Sequence, residues 1–208
     1  MLHLAMEFRL TYAGPLYGQN TRETESKVAH KHSLRKHFHR QLRAIWQQHP
    51  VLMDYVAVKQ KYPDAHMFEP YEREGFLWQP LVRGGMHSIV CRLDIMMLRH
   101  GGKGGVLTDI DNRLKTLFDA LQMVDRPEQL PLQPDGSRAK PDTDESPFYV
   151  LLENDRFITA LTVETDTLLE PVLDPGTGKF VPMENAVRLF ISVTARPYRV
   201  HLDNLSLL

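Results

Sequence analysis

Residues 88–98 alternate apolar and polar side chains: Ile89, Cys91, Leu93, Ile95 and Met97 share one side, and Arg92 and Asp94 interrupt the other. A period of two marks a strand with one buried face, and such a strand needs paired neighbours and a cover. The chain is therefore committed to a sheet. Residues 7–12, 76–82, 148–152, 156–164 and 187–194 read as further strands. Arg83-Gly84-Gly85-Met86 suits a hairpin turn between the second of these and residues 88–98.

Helical periodicity is clear only twice. In residues 31–48, Leu34, Phe38, Leu42 and Ile45 form one apolar stripe, with His32, Lys36, His39, Arg40 and Arg43 opposite; Pro50 closes the region. In residues 111–122, Leu114, Leu117, Phe118 and Leu121 form the apolar face, and Asp111 suits the N-cap. Residues 51–62 are a further apolar, partly helical stretch ended by Pro63. Two main helices are too few for a doubly wound parallel sheet. The order predicts a single α/β domain of the α+β kind: a mixed or antiparallel sheet packed by two main helices. Residues 125–147, rich in Pro, Asp and Ser, read as a mobile surface insertion. Residues 171–182 read as a turn-rich one, and the tail after residue 194 as loose.

Composition excludes some classes. No run of about 18 apolar residues occurs, so no membrane span is expected, and the early Glu7 argues against a signal peptide. Cys91 is the single cysteine, which rules out internal disulfides and CxxC metal sites and suits a reducing cytoplasm. The net charge of -1 hides an uneven distribution. Residues 27–43 hold six Lys/Arg, four His and no acid, whereas residues 135–174 hold ten acids against three bases. The glycine-rich run at residues 100–105 lacks the P-loop pattern and reads as a connector.

The chemistry concentrates at Asp109 and Asp111. Two residues apart in extended chain, their carboxylates fall on one side. Lys115 lies four residues beyond Asp111, and Asp119 four beyond Lys115, so the helix carries a polar ridge of acid, base and acid. Clustered carboxylates suit a hard divalent cation such as Mg²⁺. An adjacent lysine can neutralise a phosphate. Asp155, between two predicted strands, can add a third carboxylate if those strands neighbour the helix N-terminus. The same spacing also occurs on ordinary solvated helix faces.

The run D-I-D-N-R-L-K-T-L-F-D-A-L, residues 109–121, closely resembles the signature helix of the RusA family of Holliday-junction resolvases, D-x-D-N-x-x-K-x-x-x-D-A-L, at seven fixed positions. The family's later acidic pair before a hydrophobic strand is matched by Glu153-Asn154-Asp155-Arg156-Phe157-Ile158. The resemblance implies Mg²⁺-dependent cleavage of branched DNA by a homodimer, with Mn²⁺ as a substitute ion. It implies metal-binding roles for Asp109, Asp111 and Asp155, an essential basic role for Lys115, and supporting roles for Asn112, Asn154 and Asp119. Asp119 is assigned to orienting Lys115 or capping neighbouring backbone. Asn154 departs from the pattern, standing where the family has an acid, and Glu153 is the candidate to compensate. The chain also departs in carrying insertions near 50–75, 123–147 and 168–185, the acidic part of which can screen DNA or cover the site.

The cationic helix is the expected DNA contact, through Lys36, Arg40 and Arg43. Its histidines are read as solvated or phosphate-contacting, because i and i+2 point to different faces. Trp46 and Trp78 read as core or interface anchors, and Met86, Met96, Met97 and Met123 as sheet and dimer packing. The expected protein is a cytoplasmic nuclease of recombination and repair, of phage, prophage or bacterial origin. The alternatives are a non-catalytic branched-DNA-binding protein of the same fold and a flap or fork nuclease.

Overall fold

The alternating segments sort into two sheets. A computed structural model describes residues 5–18, 24–61, 69–85, 88–100 and 110–199. In chain order its elements are β1 (Met6–Pro15), α1 (Glu25–Gln48), α2 (Pro50–Lys61), β2 (Tyr71–Arg73), β3 (Phe76–Val82), β4 (Ile89–Arg99), α3 (Ile110–Leu121), β5 (Phe148–Leu152), β6 (Ile158–Thr167) and β7 (Ala186–Pro197). One sheet has the spatial order β1-β7-β4-β6, the other β2-β3-β5. Each contains one parallel pair, β4 with β6 and β3 with β5, and is otherwise antiparallel. The α+β class and mixed pairing are as expected, and the apolar stretch at residues 51–62 is helical as α2; the division into two sheets is an addition.

The hairpin expected at Arg83-Gly84-Gly85 is corrected. β3 and β4 belong to different sheets, and the turn between them is a bend that carries the chain from one to the other. Arg83 is the physical reason. Its side chain is buried and donates to the carbonyls of Pro80 and Glu69, so the chain is held on a crossing path. The Ile89 amide closes the bend on the Arg83 carbonyl at 2.8 Å. β5 and β6 make a matching bend at residues 153–157. Val82 pairs with Leu152 before it and Cys91 with Ile158 after it. The two bends lie side by side: the Glu153 amide donates to the Val82 carbonyl and the Gly84 amide to Glu153 Oε2, both at 2.8 Å. A Cβ on Gly84 would stand 2.8 Å from Phe157 Cζ, so any side chain there must push the Phe157 ring aside.

The helices cover the inner face of the four-stranded sheet. Leu34, Phe38, Leu42 and Trp46 of α1 and Leu117 and Leu121 of α3 join Leu10, Leu93, Met97, Leu189 and Ile191 in the main core. α1 also seals the free edge of β1. Gln41 accepts from the Thr11 amide and donates to its carbonyl, and His37 Nε2 bonds the same oxygen at 3.0 Å. Such edge capping blocks unwanted strand pairing. Pro50 does not simply end α1: it opens α2, where a missing N–H costs nothing.

A second core of Phe76, Trp78, Met123, Val124, Leu130, Phe148 and Val150 lies at the three-stranded sheet. Part of it comes from residues 123–130, so the segment read as a mobile insertion is packed. Leu130 and Ala139 are buried, and the segment continues along α1 through contacts with Glu25, Lys36 and Arg43. The 171–182 segment is turn-rich as expected, with a Leu173–Phe180 bridge and Val172 and Val181 packed beside Leu168 and Ala186. The expected loose tail lies outside the described residues from 200 onward, as do Met86 and residues 101–109. Among the described residues no helix is long and apolar enough to cross a membrane.

Candidate active site

α3 forms because its apolar residues recur on one face, burying Leu117 and Leu121 and leaving the opposite face polar. Asp111 is not the N-cap, since Ile110 is already helical. It lies in the first turn, where a carboxylate is favoured by the helix dipole. Asp109 lies outside the described residues. Asp111 and Lys115 are both exposed, and among the described residues neither side chain has a hydrogen bond or ion pair. Asn112 is half-buried, and its carbonyl accepts from Thr116 Oγ1 at 3.3 Å.

Asp119, the third member of the ridge, is engaged with α1. Its Oδ2 lies 2.7 Å from Lys31 Nζ, so its ion pair is with Lys31 and not with Lys115. Beside it, the buried Arg35 guanidinium donates to the backbone carbonyls of Asp119 at 2.8 Å and Gln122 at 3.2 Å. These are carbonyls at a helix C-terminus, where intrahelical donors run out. Arg35 is thus a side-chain cap supplied by another helix.

Gln122 passes this order on to Asp155. Its Nε2 reaches Asp119 Oδ1 at 3.5 Å and its Oε1 accepts the Asp155 amide at 3.2 Å. The Met123 amide bonds the Leu152 carbonyl at 3.0 Å, fixing the end of β5 beside the same point. The turn carrying Asp155 therefore docks on the C-terminal end of α3, whereas the sequence reading required its N-terminus. Eleven residues separate Asp111 from Gln122, which at the helical rise is roughly 16 Å along the axis. The physical reason is the parallel pairing of β3 with β5, which delivers the bend to the far end of the ridge.

Asn154 and Glu153 have local duties. Asn154 Oδ1 accepts the Arg156 amide at 3.0 Å and caps the short 3-10 turn Asp155–Phe157. Glu153 holds the Gly84 amide and accepts from the Tyr71 hydroxyl at 3.4 Å, so its carboxylate faces the neighbouring bend. Asp155 itself is exposed, and its side chain has no hydrogen bond or ion pair among the described residues. The exposed carboxylates of Asp111 and Asp155 are hard oxygen donors of the type that magnesium takes. Among the described residues, no three His, Cys, Asp or Glu side chains come together at metal-binding distance.

The expected DNA contacts divide. Arg40 is exposed and free of hydrogen bonds and ion pairs among the described residues. Lys36 instead pairs with Asp142 at 2.7 Å and Glu145 at 3.1 Å, and Arg43 lies 3.7 Å from Asp144. The acidic segment thus lies on the basic helix. The histidines are also corrected. His32 and His39 are buried; His32 stacks on Phe148, and His39 lies tilted against Phe148 and stacks on Tyr149. Burial lowers the His32 pKa to about 3, with Arg35 and Lys36 adding to it, and lowers that of His39. Trp46 and Trp78 are core residues, as expected.

Sequence reasoning missed Lys31, Arg35 and Gln122. The signal was available: Val28, Lys31, Arg35, Phe38 and Leu42 recur at helical spacing, which places both cations on the inward stripe. A groove of about 460 Å³ lies on the sheet face turned away from the helices, lined by Arg9, Arg92, Asp94, Thr162, Glu164 and Phe190. Comparison of the chain with protein-family models, with curated proteins and with solved structures returned no match.

Proposed function

We propose that the protein is a magnesium-dependent, structure-selective endodeoxyribonuclease acting on branched DNA, a RusA-like resolvase of the cytoplasm that works as a homodimer. The observation that carries this reading is the α3 ridge. Asp111 and Lys115 stand exposed on the face opposite the core, while Asp119, next along that face, is tied down by Lys31.

Asp109 and Asp111 are the residues that would hold magnesium, or manganese in its place, and Asp155, given the third carboxylate role by the resemblance, would join them only by movement of its turn toward the N-terminal end of α3. When bound, the ion would activate water and offset charge on the scissile phosphate. Lys115, one turn from Asp111, stabilises the added negative charge. Lys31, Arg35 and Gln122 keep the lower ridge and the Asp155 turn in register with α3. Arg40 meets backbone phosphate without first leaving a partner.

The test is cleavage of synthetic four-way junction, fork, flap and linear duplex by wild type and Asp111→Asn. Wild type should cut the junction with magnesium, and D111N should bind it without cutting. Retained magnesium-dependent cleavage by D111N would sink the reading, and cutting confined to forks or flaps would reassign the substrate. One observation favours a second reading, a non-catalytic branched-DNA binder: the Asp155 turn docks at the end of α3 remote from Asp111. Calorimetric titration separates the two. A magnesium site lost on substituting Asp109 supports the nuclease, and junction binding with no such site supports the binder.

A further inference from the structure

We infer that residues 130–147 form an acidic strap whose carboxylates occupy the phosphate-binding cations of α1, so that DNA must displace it. The inference rests on the DNA-binding reading above and concerns how that surface is regulated.

The strap follows one stripe of the helix. At its near end, Glu25 accepts from the Leu132 amide at 3.2 Å and pairs with Arg138 at 3.1 Å. Midway, Lys36 holds Asp142 and Glu145. At the far end, Arg43 donates to the Asp144 carbonyl at 3.1 Å beside its carboxylate. Residues 25, 36 and 43 are spaced by eleven and seven, which returns them to one side of a helix.

The three acids divide the work. Glu145 is the anchor: its side chain is only 6% exposed, and it also accepts the Asp142 amide at 2.9 Å. The side chains of Asp142 and Asp144 are 68% and 70% exposed, and they sit on Lys36 and Arg43, two of the three α1 cations read as DNA contacts. Exposed ion pairs add little to stability and weaken with salt. Lysine and arginine use the same donors for carboxylate and phosphate oxygens. The exchange of Asp142 and Asp144 for two phosphates therefore needs no change in the anchored parts of the strap.

The experiment compares wild type with D142N/D144N binding a fluorescent four-way junction without divalent ions, by anisotropy across about 50 to 200 mM salt. Glu145 and Arg138 are kept, and an unchanged thermal midpoint checks the fold. Removing both exchangeable carboxylates should steepen the dependence of log affinity on log salt by up to about 1.8, and by less where Glu145 goes on holding Lys36. It should also tighten binding at the low end roughly tenfold. The D144N single variant should carry the larger share of the change in slope, because Glu145 still pairs with Lys36 in D142N. The gain should vanish when K36Q and R43Q are added. A control, E164Q/D166N, removes two exposed acids on β6 and should give a smaller gain. Equal binding by wild type and D142N/D144N overturns the strap alone, as does an equal gain in the control or one that survives K36Q/R43Q. No junction binding by any variant at any salt overturns the nucleic-acid reading, and the strap with it.

Discussion

Replacing Arg35 tests the proposed support of the ridge. Arg35→Met keeps an unbranched apolar side chain but removes the donors to the Asp119 and Gln122 carbonyls, bonded at 2.8 and 3.2 Å. A hydrogen bond from a charged group contributes about 1.5–3 kcal/mol. Losing two, less the relief of no longer burying a guanidinium, should cost about 3 kcal/mol. For a chain of this length that is a fall in Tm of about 6–12 °C. Arg35→Lys keeps the charge, but an ammonium cannot fork to both carbonyls in the same geometry, so it should lose roughly half as much. Urea unfolding at neutral pH, followed by circular dichroism, reads both values. The cap also orders Gln122, so junction cleavage by R35M should fall further than its folded fraction explains. An R35M protein within about 1 kcal/mol of wild type, or R35K less stable than R35M, would refute the capping argument.

Burial holds His30 near a pKa of about 4 and His32 near about 3, both below the ordinary 6.5. Such groups protonate more readily in the unfolded chain, so their stability is fully present above pH 6.5 and is lost as pH falls through the folded values. Together these two groups should contribute a drop in unfolding free energy of about 2 to 3 kcal/mol per pH unit between roughly pH 6 and 4, and His32→Phe should remove about half of that contribution; a slope unchanged by the substitution contradicts it. Glu153→Gln weakens the bond to the Gly84 amide and should cost about 1 kcal/mol while cleavage persists, whereas Asp155→Asn should abolish cleavage. Equal inactivity of the two would place Glu153 in the chemistry. Gly84→Ala drives a methyl into Phe157 and should cost about 1 kcal/mol. It should also slow cleavage by shifting the Asp155 turn, which single-turnover rates will show or deny.

Much of the architecture was legible because local periodicity reflects burial. β4 alternates in sequence and in the fold, and α3 buries the face its leucines marked. What escaped was set by long-range pairing. Gly84 and Gly85 fit a hairpin equally well, and only the buried Arg83 and the pairing with residues 148–152 convert the turn into a bend. Lys31 and Arg35 were counted as surface charge because charge normally predicts exposure. Here Asp119 and two helix-end carbonyls compensate their burial. The candidate ridge could be read because its residues share one helix. The placement of Asp155 could not, because it depends on where a parallel strand ends. The acidic segment was visible as composition, but its docking on Lys36 and Arg43 is a tertiary fact.

The side-by-side bends also set an order of events during folding. Trp78 pairs with Phe148 and Arg99 with Thr167, so the two parallel strand pairs that flank the Asp155 turn join residues about seventy apart. Closing a loop of that size costs about 4 kcal/mol in chain entropy before any contact repays it. α1 and α3 can gain helical structure from local contacts, but the turn against Gln122 must wait for this closure. The chain should therefore acquire its helices early and its candidate active site late.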